Sequence, residues 1–198
     1  MLASITPLGE RGRHQKWPLT VAFYLVGSTL DGAALGTVAA LAGSLVRRVA
    51  HPSGPVALAV IALAALGAVA IDSRRWGPVP SIRRQVNEDW LNQYRSWVYG
   101  IGFGLQLGAG LLTVVTSAST YLLVVVAVLS PTPGLAVALG TAYGVARALP
   151  IVLTARVRTF PQLGELHRRV SSWQPRAGRL TLATELLIAL VAVAWAFR

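Results

Sequence analysis

Residues 17–46 read WPLTVAFYLVGSTLDGAALGTVAALAGSLV, thirty residues in which a single side chain, Asp31, carries a charge. A bilayer core about 30 Å thick is crossed by about 20 apolar residues in helical conformation. The run is therefore long enough to span, and its carboxylate falls near the middle. Hydrocarbon offers a carboxylate neither charge compensation nor hydrogen bonds, so an ionisable group at that depth needs a partner or water and is a functional candidate by default. Two expectations follow: a membrane-spanning helix, and a polar partner for Asp31 elsewhere in the chain.

The rest of the sequence supports the membrane reading. Of 198 residues, 54% are hydrophobic and 13% charged, against roughly 25% charged in an ordinary soluble domain, and mean hydropathy is +0.58. Four further apolar runs lie at 55–71, 97–129, 133–155 and 180–197. The expected fold is all-α: a single polytopic transmembrane domain of about five spans, two of them long and glycine-rich. The long runs, 17–46 and 97–129, would reach roughly 45 to 50 Å as straight helices, more than a bilayer requires. Their glycines (Gly27, Gly32 and Gly36; Gly102, Gly104, Gly108 and Gly110) permit close helix approach or local unwinding. Close approach is the expected use. An offset of 76 residues superposes Gly32 on Gly108 and Thr37-Val38 on Thr113-Val114, a loose internal repeat.

The net charge of +11 comes from basic residues confined to the segments between apolar runs. With five spans, one face collects fourteen Lys and Arg and the other three. Cytoplasmic loops carry the excess, so the chain is placed in a bacterial cytoplasmic membrane with the N-terminus inside and the C-terminus outside. The segment before residue 17 lacks the short apolar core of a secretory signal. The expected contacts are the bilayer, anionic headgroups at the cytoplasmic face, and a second copy or another membrane protein; nucleic acid is not expected. Two connections read as amphipathic interfacial helices. In residues 81–96, Ile82, Val86, Trp90 and Tyr94 recur every four residues; in 161–174, Leu163, Leu166, Val170 and Trp173 form a similar stripe.

Three ionisable groups fall within spans: Asp31, Arg147 and Glu185. Asp31 and Arg147 lie about midway along their runs among small residues and are expected to face each other inside the bundle. They would act either as an ion pair that fixes helix register or, with Gln106, as the lining of a substrate or ion pathway. Glu185, near the start of its helix, is expected to reach Arg179 or the headgroups. Pro150 removes a helical hydrogen bond next to Arg147, which makes it and Tyr143 secondary candidates. The hydroxyls of Thr113, Thr116, Ser117, Ser119 and Thr120 are expected to bond carbonyls of their own helix. Enzyme motifs are absent, no cofactor is implied, and His14, His51 and His167 are too scattered for a metal site. The chain contains no cysteine.

The segments YGIGFGLQLGAG (99–110) and TAYGVARALPIVLTA (141–155) resemble the second half of the transmembrane domain of the cytochrome c biogenesis and thiol–disulfide electron-carrier family, within the lysine-exporter-like group. The resemblance covers about 60 residues. It implies a membrane fold of that general sort. That family's electron transfer runs on a membrane-embedded cysteine pair, and here the corresponding stretch reads Gly108-Ala109-Gly110. A small-solute transporter or exporter is therefore the leading functional expectation, with a non-transporting subunit or assembly factor of a larger membrane complex as the alternative.

Overall fold

The computed structural model describes residues 5–73, 79, 90–108, 110 and 115–197, with the side chain of Asn92 excepted. Within these, the chain forms α1 (Pro7–Gly12), α2 (Trp17–Ala50), α3 (Gly54–Asp72), α4 (Trp90–Gln93), α5 (Ser96–Leu107), α6 (Ser119–Val128), α7 (Pro133–Ala148), a 3-10 segment (Leu149–Arg156) and α8 (Phe160–Ala196). The protein is all-helical among the described residues. Trp17–Ala50, Gly54–Asp72, Pro133–Arg156 and Phe160–Ala196 are each long and apolar enough to cross a membrane, and Ser119–Val128 is a shorter apolar helix.

The long helix α2 is the axis on which the bundle is built. Gly100 and Gly104 of α5 and Gly108 just past its end approach it at Thr20, at Tyr24 to Ser28, and at Ser28 to Asp31, so α5 runs parallel to α2. Along α7 the order reverses: Val137 lies at Gly36, Gly140 between Gly32 and Gly36, and Gly144 between Ser28 and Gly32. These contacts are backbone against backbone. A Cβ on Gly36 would lie 2.6 Å from the Ala136 carbonyl oxygen, and one on Gly140 2.6 Å from the Gly36 nitrogen. Ser28 Oγ crosses the same seam to donate to the Gly144 carbonyl at 2.8 Å. Where lipid supplies no hydrophobic drive between helices, this close approach is what holds them together. Large buried side chains concentrate at one end of the bundle, where Tyr24, Tyr99, Phe103 and Ile151 pack with Ile5.

Two runs depart from the sequence expectation. The run at 97–129 is not one helix: α5 stops at Leu107, and helix resumes as α6 at Ser119. The end of α6 meets Gly43 at Val128, so the two halves follow α2 in the same direction, about 33 Å of helix in all. Gly108 and Gly32, superposed by the loose repeat, therefore differ: one ends a helix and the other lies inside one. The run at 17–46 stays unbroken to Ala50, and its glycines serve close packing.

The interfacial helix expected at 161–174 and the span at 180–197 are one 37-residue helix, α8, with Pro175 inside it. Proline costs that helix one hydrogen bond and leaves the rest of the ladder in place. Its apolar stripe faces the 3-10 segment, and Leu166, Val170 and Trp173 line a groove with Val152, Leu153 and Arg156. The other expected interfacial helix, 81–96, lies outside the described residues except from Trp90 onward. There Trp90 stacks on Phe103 with ring centroids 6.3 Å apart. The α7 helix tightens to 3-10 at Leu149, one residue before Pro150, whose ring nitrogen has no hydrogen to give the preceding turn.

Candidate functional site

The break between α5 and α6 is where the polar groups of the bundle interior gather. Gly110, at φ +69, adopts a left-handed conformation that glycine enters at little cost. A Cβ there would lie 2.9 Å from Arg147 Cζ and 3.0 Å from the Tyr143 hydroxyl, so another residue would strain the backbone and displace the ends of these two side chains. Arg147 reaches from α7 into the break. Its Nε donates to the Leu107 carbonyl at 2.6 Å, and its Nη1 donates to the Tyr143 hydroxyl at 3.4 Å. Tyr143 in turn shares a hydrogen bond of 2.8 Å with Thr120 Oγ1 in the first turn of α6. This relay joins the two half-helices through α7. Its cation stands at a helix C-terminus, where unpaired carbonyls concentrate partial negative charge.

The other end of the break meets a carboxylate. Asp72, the last residue of α3, accepts from the Ala118 N–H at 2.8 Å and from Ser117 Oγ at 2.5 Å. Ser117 and Ser119 share a hydrogen bond of 2.7 Å. Asp72 therefore caps α6 from a neighbouring helix and stands in the field of its N-terminal dipole. Each half-helix end is met by a charge of the appropriate sign, Arg147 at the C-terminus of α5 and Asp72 at the N-terminus of α6. Asp72→Ala is expected to destabilise the protein by about 2 kcal/mol, the upper range for loss of a helix cap. Asp72→Asn, which still accepts from Ala118, should recover at least half of that in denaturant unfolding of detergent-solubilised protein; equal losses would remove the capping role.

The candidates from sequence are placed as follows. Asp31 is half-buried against Gly108, where an added Cβ would lie 2.9 Å from its own Cβ. Asp31 and Arg147 thus border the same glycine segment, but the Arg147 hydrogen bonds go to Leu107 and Tyr143 and not to Asp31. The orphan carbonyl at the end of α5, invisible while 97–129 reads as continuous helix, claims the guanidinium. Gln106, one residue before that end, is half-buried and makes no hydrogen bond to another described residue. Pro150 is exposed at the start of the 3-10 segment.

Glu185 differs from its expected place. It is 1% exposed and turned inward, and the charged group that faces it is Asp72 rather than Arg179 or the surface. The reason is the antiparallel packing of α3 on α8, in which Ala65 and Ala68 cluster with Ala189, bringing the end of α3 to the level of Glu185. The hydroxyls of Ser117 and Thr120 bond to Asp72 and Tyr143 of other helices, and Ser119 bonds Ser117, because residues 115–118 are not helical and give Ser119 and Thr120 no helical carbonyl four residues back; Thr113 lies outside the described residues.

Sequence reasoning passed over Asp72 and Glu10. Glu10 is fully buried and accepts from Thr20 Oγ1 at 2.7 Å, from the Tyr99 hydroxyl at 2.5 Å and from Arg13 Nη2 at 2.8 Å. This cluster pins α1 across the start of α2 and α5. The available signal was Thr6-Pro7 opening a helix ahead of the first span: Thr6 caps α1 by accepting from the Gly9 N–H at 3.0 Å. Asp72, at the end of an apolar run and followed by Arg74 and Arg75, gave no signal of its own.

The four long apolar helices packed on a glycine seam define the class: a polytopic membrane protein. Comparison with known proteins makes it a distant homologue of the methylamine utilization protein MauF. It is 37% identical over 130 residues to MauF of Paracoccus versutus, a match covering 66% of this chain and 46% of the relative. It is 31% identical over 160 residues to MauF of Methylorubrum extorquens, covering 77% and 54%, and 32% identical over 134 residues to that of Paracoccus denitrificans, covering 67% and 46%. The chain spans about half the length of the curated relatives it matches. No protein-family profile matches it, nor does any solved structure. Similarity is thus shown to bacterial methylamine utilization proteins.

Proposed function

We propose that this chain is a membrane carrier for a small solute, working at the α5–α6 break as part of methylamine utilization. The observation that carries the reading is the discontinuous helix. Its two ends lie inside the bundle, each met by a charged side chain from a different helix, Arg147 from α7 and Asp72 from α3, with Asp31 bordering the same segment. Half-helix termini at mid-bundle are how many transporters present charge and backbone groups to a solute, and irregular backbone at membrane depth is tolerated where it is enclosed by protein or lines a cavity. The relatives' role makes methylamine the first solute to test. Purified protein reconstituted into liposomes should take up labelled methylamine above the rate of empty liposomes. Arg147→Met should abolish that uptake while protein still inserts, and Arg147→Lys should retain part of it. Equal uptake in Arg147→Met and the parent would sink the assignment of the break as the site.

An assembly role in a larger membrane complex is the second reading, favoured by the relatives' roughly doubled length; folded protein with no transport of any tested solute would support it. The proposed sidedness, N-terminus inside, rests on the distribution of arginine. Because the chain has no cysteine, Ser53→Cys and Ser172→Cys each introduce a single thiol at an exposed position. In intact cells, a membrane-impermeant maleimide should label Ser53→Cys and spare Ser172→Cys; the reverse pattern would invert the topology.

A further inference from the structure

We propose that Asp72 and Glu185, with Ser117, form a binding site for one small monovalent cation, a proton or Na⁺, between α3, α8 and the start of α6. The two carboxyls face each other across the α3–α8 interface. Glu185 is 1% exposed, and neither of its oxygens has a hydrogen-bond partner. As carboxylates, neither group can donate to the other. Among the described residues, no Lys, Arg or His forms an ion pair with either. The elements packed most extensively on α8 are α3 and the 3-10 segment, and the start of α6 joins the same core cluster through Ala118 and Leu122 without adding a cation. The α3 helix presents Asp72; Arg156 of the 3-10 segment lies toward the other half of α8, where it lines a groove with Glu165 and Arg169.

Among the described residues the charge balance is incomplete. The N-terminus of α6 offers Asp72 the equivalent of about half a positive charge, so two carboxylates leave a deficit of at least about one unit in surroundings made by alanine and isoleucine. Burying an uncompensated carboxylate is costly enough that such groups are paired, bound to a cation or neutralised. The available donors are all oxygen: both Glu185 oxygens, the remaining lone pairs of Asp72 and the Ser117 hydroxyl. That set suits a hard monovalent ion, or a single proton bridging the carboxyls, and offers too few ligands for the shell a divalent ion such as calcium requires. The site shares Asp72 with the α6 end of the break but not Arg147, and its occupancy is independent of whether the chain moves a solute.

The test uses the full chain in detergent or nanodiscs. In the Na⁺ arm, the unfolding midpoint is followed as NaCl replaces choline chloride at constant ionic strength and alkaline pH. In the proton arm, infrared spectra are recorded across acid to alkaline pH without Na⁺. A saturable rise in midpoint with NaCl, weakened at least tenfold in apparent affinity by Glu185→Gln, identifies Na⁺ as occupant. A protonated-carboxyl band that vanishes at high pH and is missing from Glu185→Gln identifies the proton. Asp72→Asn, which keeps an acceptor for the Ala118 N–H, must displace the same curve and provides the readout should Glu185→Gln fail to fold. The absence of both signals, with no Na⁺ dependence and no carboxyl band that responds to these substitutions, would overturn the site. A carrier that moves solute without either signal would leave the transport reading standing and remove this one alone.

Discussion

Gly32→Leu is expected to be the most damaging single substitution in the bundle, lowering stability by at least about 3 kcal/mol, the upper end of the overpacking penalty. An ordinary core overpack pushes against side chains that can change rotamer. Here the new atoms meet backbone: a Cβ at Gly32 would lie 2.8 Å from the Gly144 Cα and 2.9 Å from its nitrogen. Neither can move without shifting α7 as a body, and α7 carries Arg147 and Tyr143 into the helix break. The loss should therefore appear as a lowered midpoint of denaturant unfolding in detergent and, on the proposed carrier function, as lowered solute uptake by whatever protein survives. Gly164→Leu, at an open position of α8, should leave the midpoint within about 0.5 kcal/mol of the parent, as a surface substitution does. Comparable losses at both positions would mean that the seam between α2 and α7 is not what holds the bundle.

Glu10→Ala is expected to follow closely, costing about 3 kcal/mol. The carboxylate is fully buried and serves three donors; removing it strands the Tyr99 hydroxyl and weakens the hold on Arg13, whose side chain is 22% exposed. Breaking a buried pair by deleting one partner costs roughly 3 to 5 kcal/mol, and the partial exposure of Arg13 places this case at the low end. Glu10→Gln, which keeps an acceptor and loses the charge, should cost about half as much. Tyr99→Phe in the Glu10→Ala background should add little, because the two share one network and their effects are not additive. A full additive loss in the double variant would show that the Tyr99 hydroxyl finds support elsewhere.

The effect of Glu10 reaches past α1. Thr154 Oγ1 donates to the Ile5 carbonyl at 3.1 Å, and the Leu8 N–H donates to the Val157 carbonyl at 3.2 Å. The N-terminal segment thus ties the end of the 3-10 segment to the start of α2 and α5, at the end of the bundle where the large side chains pack. The glycine seam sets how closely the helices approach, and this polar clasp fixes their register at one end. At the opposite end, Arg47 Nη1 donates to the Ser130 carbonyl at 2.9 Å and fastens α2 to the turn before α7.

The apolar runs, their order and the position of α2 as a glycine-rich span were legible from sequence because each depends on local properties: a window of apolar residues long enough for a bilayer, and glycine spacing that leaves one helix face flat. Asp31 lies beside Gly108 and Arg147 beside Gly110, but the hydrogen-bond partners of Arg147, the Leu107 carbonyl and the Tyr143 hydroxyl, could not be read from depth along its own helix. Whether Arg147 meets Asp31 or a carbonyl depends on whether the 97–129 run is continuous there, and that depends on Arg147 and Tyr143 filling the space beside Gly110 and on Asp72 arriving from α3 to cap α6. Glu185 was misplaced for a related reason: its depth could be counted along its own helix, but not the fact that α3 ends opposite it.

What the sequence alone determined is the solvent this protein is built for and the segments that enter it, since transfer to lipid is a sum over residues in a window. Only the tertiary structure decided where a helix breaks and which charges answer its ends. A broken helix exposes backbone donors and acceptors whose compensation comes from residues 40 to 46 positions away in the chain, and no local pattern records that pairing.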